Sequence, residues 1–403
     1  MVRLVLALIP LAFLVSVVTT RLVRGVSARA GAHDTAPMAG QIKEARRRVP
    51  NTGGIAIFLA IALPILLLLG FLAPGQIDPH DWNLVPADLH EHLAGLKAKV
   101  GDAGVLLACL LGVHLLGVLD DRRPLSPWPK LLCMLGLAAA MVIFTGTRLL
   151  TMLDPHVGGK WLSVTLTVLW ICAVANAMNF LDNMDGLAGS VAMVAGSMFL
   201  WAALAGQQWF VGACLALAVG ATAGFLMFNF PWRGTQGRGA SIFMGDGGSL
   251  VLGMLLAFLS VRLTYAHLGP GDGVKWAGEP APTTAWYAVL MPLATLAVPV
   301  YDMLTVTCIR LGQGRSPFVG DLNHLSHRLV RRGLSRRAAV VVIACFTAIT
   351  GLCGVLLLSA GPRDAAVLGA LVALMMTTLA LLEFAGSDSG VQAPPAGGAG
   401  GGA

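Results

Sequence analysis

Four polar side chains arrive at intervals of three where an apolar run stops. The stretch NAMNFLDNMDGLAG, residues 176–189, follows WLSVTLTVLWICAVA and places Asn176, Asn179, Asp182 and Asp185 in step. Residues three apart are neighbours on a helix surface. At 3.6 residues per turn the four would form a stripe drifting over roughly half the circumference. Carboxylate and amide oxygens suit Mg²⁺ or a polar substrate. Polar groups at membrane depth mark function, because lipid cannot satisfy them. The plainer alternative is a helix end held by interhelical hydrogen bonds.

Four further stretches carry comparable chemistry. In ARRRVPNTGGIAIF, Arg46, Arg47 and Arg48 precede Gly53 and Gly54, whose bare amides at a helix start could approach an anion. A charge cluster followed by a loose turn reads the same way. In GVLDDRRPLSPWPK, Asp120 and Asp121 close an apolar run and Lys130 opens the next. Adjacent carboxylates at a helix C-terminus repel each other and oppose the helix dipole, so they call for a divalent or cationic neighbour. Arg122 and Arg123 could serve as that neighbour on a solvated face. In SIFMGDGGSLVLG, Asp246 stands at a helix start, where it could cap the helix. Gly245, Gly247 and Gly248 around it would equally admit a phosphate or metal. In GRSPFVGDLNHLSHRLVRRG, an amphipathic helix is expected from Asp321. Leu322, Leu325 and Leu329 would line one face, with His324, His327, Arg328 and Arg331 on another. That second face could bind phosphate, or touch anionic lipid as an interfacial helix.

The elements that must position these groups are membrane helices. Of 403 residues, 56% are hydrophobic and 12% charged, against about a quarter charged in a soluble domain. Eleven apolar runs approach or exceed the ~17 residues needed to span a bilayer. They lie near 2–20, 53–73, 103–119, 131–147, 161–179, 188–205, 209–228, 247–264, 284–308, 338–360 and 365–384. The expected fold is an all-α polytopic bundle of about eleven transmembrane helices, over 1–385, with a cytoplasm-facing cleft. A low-complexity tail, 386–403, follows. With the N-terminus outside, 19 of the 27 Lys and Arg fall in the five inner loops, as the positive-inside rule requires. Those loops also hold the five polar stretches. The net charge of +7 therefore reads as membrane orientation and not as nucleic-acid binding.

The first apolar run lacks a clean small-residue cleavage site and reads as a retained span. Seven cysteines lie in apolar runs without a C-x-x-C pair, so neither a disulfide framework nor a thiolate metal site is expected. His80, His90, Glu91 and His92 fall in an outer loop, where Leu89, Leu93, Leu96 and Val100 favour an interfacial helix over a metal site. No internal repeat is evident, which argues against an ion-coupled transporter. A transporter would also place its polar groups near mid-bilayer.

Aspartates, asparagines, histidines, arginines and glycine turns gathered at one membrane face suit Mg²⁺-assisted chemistry on phosphates. A membrane setting implies a lipid-linked phosphate. Taken together, PNTGG, DDRRPLSP, NAMNFLDNMDGLAG, FMGDGGSLVLG and GRSPFVGDLNHLSHRL resemble the polyprenyl-phosphate N-acetylhexosamine-1-phosphate transferases, over about Arg48 to Gly333. The resemblance implies integral membrane enzymes that move a sugar-1-phosphate from a UDP-sugar to a polyprenyl phosphate and release UMP. The separated His324 and His327, with SPF at 316–318, look like the N-acetylglucosamine branch. The peptidoglycan branch, which uses UDP-N-acetylmuramoyl-pentapeptide, usually has three consecutive histidines there.

By resemblance, Asp246 is the principal ligand of Mg²⁺ (or Mn²⁺), with Asn179 as a second. Asp120 and Asp121 match the paired aspartates near the lipid phosphate, one of them a proposed base. Lys130 matches a lysine near the phosphates, and Asp182 and Asp185 match a pair lining the metal and nucleotide pocket. Asn229 and Phe243 match uridine-contacting positions. His324, His327 and Arg328 match the pyrophosphate and sugar-phosphate region. Two departures stand out: an insertion at 231–241 before FMGD, and Asn183 where the family often has glycine. The expected partners are a UDP-sugar, polyprenyl phosphate and the bilayer, with a homodimer left open. The expected location is the plasma (inner) membrane. A direct transfer and a covalent aspartyl intermediate are both compatible with these residues.

Overall fold

The computed structural model describes residues 1–31, 49–72, 95–232, 239–268, 275–276, 279–280, 286–318 and 320–384. Arg46 to Arg48, the cluster of His80, His90, Glu91 and His92, and the 386–403 tail lie outside the described residues. The chain is an all-helical, multi-pass membrane protein. Among the described residues, ten helices are long and apolar enough to cross a bilayer. They are α1 (Val2–Arg29), α2 (Gly53–Leu72), α3 (Val100–Arg122), α4 (Pro127–Thr145), α5 (Trp161–Leu181), α6 (Leu187–Ala205), α7 (Trp209–Asn229), α8 (Asp246–Leu268), α12 (Arg336–Leu357) and α13 (Pro362–Phe384). Among the described residues between α8 and α12 lie three shorter α-helices: α9 (Met291–Thr295), α10 (Ala297–Gly312) and α11 (Leu325–Arg331). Lys275–Trp276 and Glu279–Pro280 pair as a two-residue antiparallel ribbon before α9.

The eleventh expected span, 284–308, is not one helix. It begins as a 3₁₀ turn at Trp286–Leu290, continues as α9 and breaks at Leu296 before α10. Pro299 has no N–H to donate back to Thr295, and proline within a helix also crowds the preceding turn. Thr295 Oγ1 is left buried without a partner at the break. Hydropathy registers this segment as one run because it does not sense the missing bond.

The hub is α8. Of its most apolar stretch 94% is buried, against 17% for α1 and 11% for α13, which face outward. Helices α2, α3, α5, α6 and α7 all pack on it. Small residues let the backbones meet where the polar stretches lie. A Cβ on Gly54 of α2 would come within 2.3 Å of the Gly248 nitrogen. One on Gly117 of α3 would come within 2.5 Å of the Asp246 carbonyl carbon. Close packing is a main attraction between helices in lipid, where hydrophobic burial gives no net gain. These crossings bring the start of α2, the end of α3 and the start of α8 together.

Gly117→Ala tests this close approach against Gly104→Ala in the same helix, where nothing lies within 4 Å. Overpacking costs about 1–3 kcal/mol. Gly117→Ala should lower the unfolding temperature in detergent, while Gly104→Ala leaves it unchanged or raised.

Candidate active site

Two loops, far apart in sequence, are stitched together beneath the site. Phe243 N–H donates to the Pro50 carbonyl (2.8 Å), Gly53 N–H to the Phe243 carbonyl (2.9 Å) and Gly54 N–H to the Met244 carbonyl (2.8 Å). Asn51 and Phe243 thus form an isolated parallel bridge. The amides of Gly53 and Gly54 are occupied by these carbonyls and are not open to an anion. Their small size serves the helix crossing instead.

Asp121, at the end of α3, caps α8 from outside. Its Oδ1 accepts from the Asp246 N–H (3.0 Å) and its Oδ2 from the Gly247 N–H (3.2 Å). Asn51 Nδ2 donates to the same Oδ1 at 2.9 Å. Negative charge at a helix N-terminus is favourable, and a capping side chain typically contributes about 1 kcal/mol. Gly245, which leads into the helix, has φ +72°, and a Cβ there would lie 2.5 Å from Asp121 Oδ2. Glycine is required on both counts.

With Asp121 as the cap, the Asp246 carboxylate does not cap its own helix. It faces the mouth of the site, where Asn179 Nδ2 donates to Oδ1 (2.8 Å) and Lys130 Nζ donates to Oδ2. Lys130 also donates to Asp120 Oδ2 at 2.8 Å, and Leu125 N–H donates to Asp120 Oδ1 at 2.6 Å. Pro127 and Pro129 start α4, which places Lys130 in its first turn. The side chains of Lys130, Asp120 and Asp246 keep 15%, 16% and 27% exposure, so the cluster is reachable. Asn179 is steadied by Ser249 Oγ at 3.0 Å.

The polar stripe ends earlier than its spacing suggests. Helix α5 stops at Leu181, and Asp182 is its C-cap with ψ +47°. Asn176 donates back to the Cys172 carbonyl at 2.9 Å, within the helix. Only Asn179 therefore acts from the helix surface at the cluster. Asp185, in the following turn, accepts from Ala240 N–H at 2.8 Å. Asn229 is buried, with Oδ1 accepting from Gly186 N–H and Nδ2 donating to the Ile242 carbonyl, both at 2.9 Å. Its amide ties the Gly186 turn to the Ile242 loop. Within the described part of the 231–241 insertion, Ala240 and Ser241 are joined to these same loops through Asp185 and the Phe228 carbonyl.

The helix expected from Asp321 begins at Leu325. Its basic residues do not share one open face. His324 and Arg328 turn inward, His327 is buried and Arg331 is exposed. His324 Nδ1 lies 2.9 Å from Asp302 Oδ2, and Arg328 Nε donates to Glu383 Oε2 at 2.6 Å. Before the helix, Arg310 holds Asp321 through Nε and Nη2, both at 3.2 Å. Burial alone would raise the Asp321 carboxyl, but Arg310 and the Asn323 N–H hold it below the usual range. Asp302 and Glu383 are site-adjacent residues that motif reading passes over. The available signal was their position, since each is a carboxylate within an apolar run.

Among the described residues no three His, Cys, Asp or Glu side chains close on one point as a metal cage. Burial and the neighbouring Asp246 and Asp121 carboxylates push the Asp182 carboxyl well above its usual range, against the Gly245 N–H. A carboxyl raised on folding favours the fold below its unfolded value, near 4. That contribution is lost as pH rises through the folded value. In chelator and without nucleotide, Asp182→Asn should match the wild-type melting temperature at low pH. It should become progressively more stable than wild type toward neutral and alkaline pH. A difference that stays flat with pH would contradict the burial of this charge.

Residues 103–264, which include α3 to α7 and the Asp246 turn, match Glycosyl transferase family 4. Over 362 residues the chain is 30% identical to the decaprenyl-phosphate N-acetylglucosaminephosphotransferase of Mycobacterium tuberculosis (strain ATCC 25618 / H37Rv), covering 84% of this chain and 80% of that protein. It is 27% identical over 365 residues to the "Probable undecaprenyl-phosphate N-acetylglucosaminyl 1-phosphate transferase" of Bacillus subtilis (strain 168), covering 89% and 86%. It is 30% identical over 263 residues to the undecaprenyl-phosphate alpha-N-acetylglucosaminyl 1-phosphate transferase of Escherichia coli (strain K12), covering 63% and 65%. The chain belongs to the polyprenyl-phosphate N-acetylhexosamine-1-phosphate transferases of glycosyl transferase family 4.

Proposed function

We propose that the protein transfers N-acetylglucosamine-1-phosphate from UDP-N-acetylglucosamine to a polyprenyl phosphate and releases UMP. This would be the first membrane step of a cell-envelope polysaccharide. The observation that carries the reading is Lys130 held between Asp120 and Asp246, with Asn179 and Asp182 beside them, at one end of a membrane bundle. The similarity to enzymes named for that transfer supports it. The excess of Lys and Arg in the loops at this end supports a cytoplasmic site in the plasma membrane.

In the reaction, an oxygen of the lipid phosphate attacks the β-phosphorus of the UDP-sugar. A new P–O bond forms at the β-phosphorus as its bond to the bridging oxygen breaks, and that oxygen leaves with UMP. The burden on the protein is alignment and charge. Lys130 can exchange a carboxylate for a substrate phosphate while keeping its position. Asp120 is free of the capping duty that occupies Asp121, which makes it the better placed of the two to face the incoming lipid phosphate. By the resemblance, His324 would meet the pyrophosphate.

The residues fit Mg²⁺. Asp120 and Asp246 share one ammonium, with Asp182 close to Asp246, a set of carboxylates whose charge a divalent cation would offset. Mg²⁺ typically takes one or two carboxylates, waters and substrate phosphates, with no need for an all-protein cage. Asp246 and the amide oxygen of Asn179 would hold it. When bound it supplies positive charge to the pyrophosphate.

The purified protein, given undecaprenyl phosphate and Mg²⁺, should release UMP and move label from UDP-N-acetylglucosamine into the lipid phase. Chelation should abolish both, and Mg²⁺ or Mn²⁺ should restore them. Lys130→Gln and Asp246→Asn should each lose about 10²-fold or more in turnover, the scale of a removed electrostatic contact. Label reaching lipid only from UDP-N-acetylmuramoyl-pentapeptide would overturn the choice of donor, and normal turnover by Asp246→Asn would overturn the site.

A further inference from the structure

Two carboxylates stand in apolar surroundings behind the site, and nothing assigned so far uses them. Asp302 of α10 is fully buried and Glu383, at the inner end of α13, is 3% exposed. A charge in such a place is costly unless it is paired and hydrogen-bonded. Both are. Asp302 Oδ1 accepts from the Leu325 N–H at 2.6 Å, which caps α11, while Oδ2 meets His324 Nδ1 at 2.9 Å. Glu383 takes Arg328 Nε through Oε2 and the Tyr301 hydroxyl through Oε1. Its backbone carbonyl accepts from Arg332 Nε (3.1 Å) and Nη2 (2.8 Å). Arg328 is spent in the same network, with Nη2 donating to Thr305 Oγ1 at 2.9 Å and Nη1 to the Asn323 carbonyl.

This network has an output. The His324 ring meets the Phe180 ring edge to face at 5.8 Å, and Ser326 donates to Asn183 Oδ1. Phe180 directly follows Asn179, and Asn183 directly follows Asp182. The start of α11 therefore leans on the loop that carries two of the site's polar groups. With Nδ1 bound to Asp302, the imidazole is held in one tautomer and one orientation. Its Nε2 makes no hydrogen bond among the described residues, so that nitrogen is the one left for a ligand.

We propose that Asp302 is a positioning residue for the transfer, which orients His324 so that Nε2 faces the substrate phosphates, and that Glu383 supports it by clamping Arg328 and the rest of α11. This rests on the phospho-sugar transfer proposed above. It assigns to the final span a part in the site. Arg328, in this account, acts as a strut and not as a substrate contact.

A double-mutant cycle separates this from a general structural role. His324→Asn keeps a donor near the Nδ1 position for Asp302 and removes Nε2. Asp302→Asn should lower kcat by about tenfold or more in the wild-type background, within the range of a mispositioned acid–base or phosphate-contacting group. In the His324→Asn background it should have almost no further effect, because the group it orients is already gone. Equal losses in both backgrounds would overturn the proposal. So would wild-type kcat in Asp302→Asn. Should that variant fail to fold, Glu383→Gln gives the same test, with full activity or an undiminished effect on His324→Asn as the overturning results. Wild type active only with another UDP-sugar would refute the donor assignment alone, and the cycle is then run on that donor. Wild type inactive with every UDP-sugar would overturn both readings.

Discussion

The carboxylate of Asp121 is the joint on which the site depends. It accepts hydrogen bonds from the first two amides of α8 and from Asn51. Helix α8 is the most enclosed element of the bundle, so anchoring its start anchors the middle of the molecule. Because another residue does the capping, Asp246 is released from that duty. Its carboxylate can then face Lys130 and Asn179. A single capping contribution of about 1 kcal/mol is modest. Its larger consequence is geometric, since it decides which of two neighbouring aspartates is structural and which is available.

The same economy governs the glycines. Those at 54, 117 and 245 stand where a Cβ would strike backbone or the Asp121 carboxylate. They bring α2 and α3 against the start of α8 and so place residues from distant loops within hydrogen-bonding reach. Charge is handled alongside packing. Asp120 and Asp246 share one lysine at the mouth, with Asp182 close to Asp246, an arrangement with more carboxylates than cations and suited to a divalent cation. Behind it, Asp302 and Glu383 are hydrogen-bonded by His324 and Arg328. The first cluster is unbalanced and accessible, as a site for phosphates should be. The second is hydrogen-bonded and closed, as a support should be.

Much of this was legible in the chain itself. The apolar runs, the excess of Lys and Arg on one side and the five polar stretches identified a multi-pass membrane protein of this transferase family. Ten of eleven spans follow from hydropathy, because a helix in lipid must satisfy its backbone internally and advertises that by length and composition. The eleventh breaks at Leu296, because a missing proline N–H matters only once a helix is built. Spacing alone also made Asn176, Asn179, Asp182 and Asp185 equivalent. The chain leaves the helix at Leu181 and treats the four differently.

What the sequence determined by itself was the class of protein, the count of its apolar segments and the end of the bundle where its chemistry gathers. These depend on composition and local spacing. What only the tertiary structure decided was the division of labour among residues of like type. Asp121 caps while Asp246 is free, the amides of Gly53 and Gly54 are spent on Phe243 and Met244, and the basic residues of α11 turn inward to Asp302 and Glu383. Each outcome depends on a hydrogen-bond partner tens to more than a hundred residues away. Such partners leave no trace in local spacing, because buried polar groups are satisfied by whichever neighbour the packing supplies.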